Sequence, residues 1–195
     1  MKKRTWYIIN GITIYRLLAA FILLYFIIMD QVEIFRFFLL ISFFTDAIDG
    51  FLARYYKVTS SIGSTIDSIA DDLTILMAII GVFVFVPAFV DEERTLIIIL
   101  LALYLVQITI ALIRYRRISV FHTYLAKIAA VFQGLFLILI FFLPEYPILL
   151  FQVAATLTIL DLIEEIILVL LLPKWQTDIK GLFWIMKKRT HSHAS

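Results

Sequence analysis

The chain has 195 residues, 63% of them hydrophobic, with 17 basic and 15 acidic side chains for a net charge of +2, and it has no cysteine. Its mean hydropathy of +1.03 exceeds what a soluble domain of this length can bury, which argues against a water-soluble globular fold and for a membrane protein. The small net charge gives no support for nucleic-acid binding, and without cysteine there are neither disulfides nor thiolate metal ligands.

In chain order, six apolar stretches approach the roughly 20 residues that a helix needs to cross a bilayer: Trp6 to Met29, Ile34 to Ala53, Ile62 to Phe89, Thr95 to Ile113, Tyr124 to Leu143 and Ile148 to Leu172. The predicted fold is therefore an all-α integral membrane protein, a bundle of six transmembrane helices forming one domain over residues 1–195. A short amphipathic helix is expected before the first span. Met-Lys-Lys-Arg ahead of an apolar run has the look of a signal peptide, but the run is too long, lacks a cleavage site and contains Asn10, Thr13 and Arg16. Pro87, Pro144, Pro147 and Pro173 all fall near predicted helix ends, where a missing N–H is harmless. His191 and His193, in the tail, are not expected to bind metal.

Four aspartates stand in a fixed frame. Asp46 and Asp49 are three apart and Asp67 and Asp71 four apart, so on helices each pair shares a face about one turn apart. The stretch between, with Lys57, Thr59, Ser60 and Ser61, is predicted to be a polar turn that makes the two helices antiparallel and lets the pairs face each other. Four converging carboxylates cannot all stay ionised without cations. Hard oxygen donors suit Mg²⁺, Mn²⁺ or Ca²⁺, and four could hold two ions about 4 Å apart around a transferring phosphoryl group. Gly50 and Ala53 are small enough to let a substrate or second helix approach the backbone. A single pair at a helix end could simply face water, but carboxylates flanked by apolar runs are costly unless they work.

The complete pattern, Asp-x-x-Asp-Gly-x-x-Ala-Arg-x8-Gly-x3-Asp-x3-Asp from Asp46 to Asp71, resembles the signature of the CDP-alcohol phosphatidyltransferase family at all eight defined positions. The resemblance implies transfer of a substituted phosphate from a CDP-linked donor, here CDP-diacylglycerol, to an alcohol with release of CMP. It implies that Asp46, Asp49, Asp67 and Asp71 hold Mg²⁺ or Mn²⁺, two ions in all, and that Asp71 also serves as general base. It further implies a cytidine diphosphate pocket made by Asp49, Gly50, Ala53, Arg54, Gly63 and Asp67, with Arg54 meeting phosphate. Many members of the family are homodimers, and a dimer is expected here.

The acceptor is sought in the basic residues Arg114 and Lys127, since cationic groups match phosphate oxygens; Arg116 and Arg117 read equally well as topology charges near anionic lipid. Ala126-Lys127-Ile128-Ala129-Ala130-Val131-Phe132-Gln133 is similar to the Gly-Lys-x-Lys-Thr-x-x-Gln stretch of phosphatidylglycerophosphate synthases, and Asn10 to Arg16 to their Asn-x-x-Thr-x-x-Arg opening. Ala126, Ala130 and Asp72 depart from that subfamily. Glycerol 3-phosphate is the favoured acceptor, with inositol phosphate or serine as alternatives. Asp161, Glu164 and Glu165 in the last span are expected to line a polar cavity or pair with Arg16 or Lys127. They also raise the alternative of a proton-coupled transporter, against which six spans without repeated discontinuous helices argue.

Charge orients the bundle. With the N-terminus inside, the inner segments collect Lys2, Lys3, Arg4, Arg54, Lys57, Arg114, Arg116, Arg117, Lys127 and the basic residues from Lys174 to Arg189, whereas the outer loops carry Asp30, Glu33, Asp91, Glu92, Glu93 and Glu145, with Arg36 and Arg94 as exceptions. The positive-inside rule then puts both termini and the aspartate frame on the cytoplasmic face of what is expected to be a bacterial inner membrane. A cysteine introduced at Thr59 should therefore react with a membrane-impermeant thiol reagent only in opened cells, and one at Glu92 in intact cells; reversed labelling would invert the topology.

Overall fold

The computed structural model describes residues 15, 17–56, 61–116, 121, 123–173, 176 and 179–186; among these, the side chains of 47, 49–56 and 61–68 lie outside the described residues. Its elements are helices: α1 (Leu17–Ile28), α2 (Val32–Tyr56), α3 (Ser61–Phe85), α4 (Pro87–Glu92), α5 (Arg94–Tyr115), α6 (Tyr124–Leu139) and α7 (Ile148–Leu171), then a five-residue helix α8 (182–186). No strand occurs among the described residues.

Each apolar stretch from Ile34 to Leu172 corresponds to a long helix, and the departures lie at prolines. The stretch ending at Phe89 breaks instead at Phe85. The residue before a proline is disfavoured in helical conformation, so Val86 leaves the helix and Pro87 opens α4 with its fixed φ. Similarly α6 stops at Leu139 and the chain turns through Phe141–Leu143 before Pro144. Pro147 caps the start of α7. The expected N-terminal amphipathic helix and Asn10, Thr13 and Arg16 lie outside the described residues.

The chain forms two compact units. The first holds α1, α2, α3 and residues Leu137–Tyr146. Helix α1 ends in a left-handed turn at Asp30 (φ 54°): the Asp30 N–H donates to Ile27 O at 3.2 Å and the Gln31 N–H to Phe26 O at 2.9 Å, the Schellman pattern that stops a helix and reverses the chain. Phe26 then meets Phe38 of α2 with ring centroids 5.2 Å apart. Phe35, near the start of α2, touches Phe85 at the end of α3 and Phe141, both at 5.2 Å between centroids. With the other ends of α2 and α3 joined through residues 57–60, this contact makes the two helices antiparallel, as the polar turn predicts. Beside these rings Arg36 lies over Phe37 and Phe142, each at 5.3 Å, pairs with Glu33 and donates to Phe141 O. One charged outlier among the outer-loop residues is thereby held by an acid, two π faces and a carbonyl.

The second unit holds α5, α6 up to Phe136, α7 and the segment beyond it. Helices α5 and α7 run parallel: Gln107 meets Glu165, and one turn or two further on the Tyr115 hydroxyl donates to Val169 O and Leu172 O at 3.0 and 2.9 Å. Helix α6 runs opposite to α7, with Thr123 beside Asp161, Gln133 donating to Thr158 and Phe136 against Phe151 at 5.0 Å.

Outward faces are apolar. Leu18, Phe21, Tyr25 and Ile28 form an exposed helical stripe on α1, and Ile98, Leu101, Leu105 and Leu112 another on α5, the inverse of a water-facing helix. Helix α5 is long and apolar enough to span a bilayer, and Leu17–Ile28 and α6 are shorter apolar helices. Together these features suggest a membrane protein. Helices α2 and α7, of 25 and 24 residues, have the length to cross, about 37 and 36 Å. They differ from α5 in carrying several ionisable residues within the helix, among them Asp46, Asp49 and Arg54 on α2 and Asp161, Glu164 and Glu165 on α7.

Packing in the first unit is close at Gly81, where a Cβ would fall 2.5 Å from Phe35 Cζ, on a ring that is itself fully buried. Gly81→Val should lower stability by about 1–3 kcal/mol through overpacking, read as a depressed thermal midpoint of the detergent-purified protein; an unchanged midpoint would mean that α2 and α3 are not packed in this register.

Candidate functional site

Helix α2 carries Asp46, Asp49, Gly50, Ala53 and Arg54, and helix α3 carries Gly63, Asp67 and Asp71. Nothing in either helix interrupts the 3.6-residue period at these positions, so the spacings of three and four keep each carboxylate pair on one side of its helix. The register follows from Phe35, which packs beside Gly81 and Phe85. Eleven residues on, about 16 Å along α2, lies Asp46; about the same distance back along α3 lies Asp71. The two aspartates therefore stand at a similar height on the hairpin, and both are half-buried. Asp72, which departs from the phosphatidylglycerophosphate synthase pattern, is exposed.

The side chains of Asp49, Gly50, Ala53, Arg54, Gly63 and Asp67 lie outside the described residues. Among the described residues no group of three or more His, Cys, Asp or Glu side chains is gathered. The chemistry of the donor set nonetheless fits a hard divalent cation. The four aspartates would offer carboxylates alone, carried by two antiparallel helices otherwise rich in apolar residues, where unneutralised charge is costly.

Asp46 and Asp71 belong to the first unit, Arg114 and Lys127 to the second. Arg114 turns Nε and one Nη to Leu172 O, at 3.4 and 3.2 Å, placing a cation on the carbonyl end of α7 where a helix favours it. Lys127, in the first turn of α6, is exposed, with Nζ 5.7 Å from the centre of the Tyr124 ring.

A family model for the CDP-alcohol phosphatidyltransferases matches residues 6–172, from the first apolar stretch to the end of α7. The chain belongs to the CDP-alcohol phosphatidyltransferase family. No curated protein and no solved structure matches it. The family's activity, phosphatidyl transfer from a CDP-alcohol in phospholipid synthesis, attaches to this chain through a match that covers the aspartate frame and ends before residues 173–195.

The second polar constellation has a role that the sequence does not reveal. Of the two cations considered as mates for Asp161, Glu164 and Glu165, Arg16 lies outside the described residues, and Lys127 faces Tyr124. Among the described residues the hydrogen-bond partners of these carboxylates are neutral donors. Buried Glu165, 8% exposed, accepts from Gln107 Nε2 at 2.7 Å and from the Phe121 N–H at 3.4 Å. Asp161 accepts from the Thr123 hydroxyl at 3.3 Å. That same hydroxyl accepts from the Ala126 N–H at 3.0 Å, so Thr123, fully buried, is the N-cap of α6. Glu164 accepts from the Leu182 N–H at 2.8 Å at the start of α8. The Gly181 backbone, at φ +145°, brings this turn against Glu164, where a Cβ would lie 3.1 Å from its Oε1. A threonine just before an apolar helical run was the one signal in the sequence for these contacts.

Glu165→Leu should cost roughly 1–3 kcal/mol, because it strands a buried amide and a buried backbone N–H. Glu165→Gln should cost far less, since the new amide can accept from Phe121 and donate to a rotated Gln107. Thermal unfolding of the two purified variants checks this, and equal losses would show that the cluster holds by charge rather than by hydrogen bonding.

Proposed function

We propose that this chain is an integral membrane phosphatidyltransferase of phospholipid synthesis. It crosses the bacterial inner membrane six times, with both termini and the aspartate frame on the cytoplasmic side. It moves the phosphatidyl group of CDP-diacylglycerol to the hydroxyl of glycerol 3-phosphate, making phosphatidylglycerophosphate and CMP. The observation that carries this reading is the eight-position aspartate frame, set on an antiparallel helix pair within the family match. The apolar outer faces of α1 and α5 support the bilayer setting and leave surface for a second copy of the chain. A transporter reading loses its motive, because the extra carboxylates of α7 have structural partners.

Asp46, Asp49, Asp67 and Asp71 are the residues that would hold Mg²⁺ or Mn²⁺, two ions in all, whose contribution is neutralisation of charge on the phosphate oxygens. Asp71 takes the proton of the acceptor hydroxyl as that oxygen bonds to the phosphorus bearing diacylglycerol; the bond from this phosphorus to the CMP phosphate breaks, and CMP leaves. Gly50, Ala53 and Gly63 leave room for the cytidine diphosphate, and Arg54 meets its phosphates. Lys127, exposed on the first turn of α6, serves the acceptor phosphate. Arg114 assists with the guanidinium N–H groups that it does not turn to Leu172. The alternative acceptors are inositol phosphate and serine.

Purified protein given CDP-diacylglycerol should release CMP only with Mg²⁺ or Mn²⁺ present and should stop when EDTA is added. Asp71→Asn should cut turnover about 10²- to 10⁴-fold while the protein stays folded. Glycerol 3-phosphate should support turnover and serine much less. Lys127→Ala should raise the KM for the acceptor more than that for the donor. Near-normal CMP release by Asp71→Asn would sink the assignment of the base. Robust turnover with serine alone would sink the basic acceptor site and leave the family's chemistry standing.

A further inference from the structure

The segment that follows α7 lies outside the family match, yet it is folded onto the end of its unit. The Ile179 N–H donates to Phe121 O at 3.0 Å, the Tyr124 N–H donates to Lys180 O at 3.2 Å, and the Leu182 N–H donates to Glu164. Leu182 and Ile185, three apart, turn inward against the cluster formed by Phe121, Leu168, Val169 and Ile179. The remaining face of α8 is aromatic and uncovered: Phe183 is 67% and Trp184 46% exposed. Their rings stack edge to face at 5.6 Å, and Trp184 also meets Tyr124, itself exposed, at 5.3 Å. A helix bathed in water would carry polar residues on that side. Lys180 is exposed just before it, and Lys187, Lys188 and Arg189 follow directly in sequence. Arg116 is exposed at the end of α5, the end to which Tyr115 ties the close of α7.

Aromatic rings that prefer the headgroup region, bracketed by cations and lacking any acidic residue from Ile179 to Arg189, match one kind of surface. We propose that residues 179–186 form a peripheral anchor that seats on anionic phospholipid, with Phe183 and Trp184 entering the interface and positive charge supplied by Lys180 and by the basic residues that follow in sequence. Attachment is charge-dependent and weakens as salt screens it. Because Phe121, Tyr124 and Glu164 hold the same segment, the anchor ties Phe121 and the N-terminus of α6 to the bilayer surface. This inference rests on the membrane setting proposed above and not on the identity of the acceptor.

The test uses full-length protein with Trp6→Phe and Trp175→Phe, which leaves Trp184 as the sole tryptophan, reconstituted into phosphatidylcholine vesicles with and without phosphatidylglycerol. Quenching of Trp184 by lipids brominated high on the acyl chain should be about twofold stronger with phosphatidylglycerol and should fall in high salt and in Lys187→Gln/Lys188→Gln/Arg189→Gln. A bimane probe on Phe183→Cys, unique in a chain without cysteine, should repeat the result with the tryptophans intact. Equal acrylamide quenching in both vesicles would overturn the anchor, as would protection from both quenchers, which would mean that a second protein surface covers the helix. Resistance of the same protein to carbonate extraction is read in parallel. Its loss overturns the membrane domain and the anchor together, whereas water-exposed Trp184 in an inserted protein overturns the anchor alone.

Discussion

An ionised or polar group set into an apolar helix has to find a partner within reach, and in this chain that constraint shapes both units. Helix α7 is long and apolar but places three carboxylates in its second half. Each accepts from a donor supplied by another part of the chain: Gln107 and the Phe121 N–H for Glu165, the Thr123 hydroxyl for Asp161, and the Leu182 N–H for Glu164. The desolvation penalty of a buried carboxylate is what makes these contacts organising rather than incidental. A connector and a terminal segment that would otherwise have no reason to fold against the helices are drawn onto them.

The consequence is an end of the second unit in which polar capping surrounds the apolar cluster of Phe121, Leu168, Val169 and Ile179. Thr123 completes the first turn of α6 while its hydroxyl is held by Asp161. Arg114 and Tyr115 complete the last turn of α7, and Glu164 opens α8. Helix ends leave unpaired N–H and C=O groups, and in an apolar setting side chains must replace water as their partners. The aspartate frame meets the same constraint differently. Its carboxylates come from two adjacent helices of one hairpin, and the metal site proposed there would supply cations as their partners.

Much of the first hairpin was legible in the order of residues. The i, i+3 and i, i+4 spacings of Asp46, Asp49, Asp67 and Asp71 are local facts, and helical periodicity turns them into shared faces whatever the rest of the fold does. The polar stretch around Thr59 marked a turn, and α2 and α3 flank it as expected. The break between α3 and α4 was less legible: Pro87 was visible, but hydropathy carried the stretch on to Phe89, because Val86 and Phe89 are as apolar as the helix before them. Likewise α6 was drawn four residues too long, since Ile140 to Leu143 are apolar although they turn.

Residue order alone therefore determined the helical class, the apolar character, the shared faces of the aspartate pairs and the family, each resting on composition or on spacings within one hairpin. Tertiary structure alone decided what the carboxylates of α7 do. Glu165 finds its partners 58 and 44 residues away, and Lys127, one of the cations expected as a mate, meets an aromatic ring instead. Opposite charge is a preference readable from a list of residues. Which donor reaches a buried oxygen is set by how α5, α6 and α7 pack, and neutral N–H and O–H groups already in place satisfy it without bringing a second charge out of water.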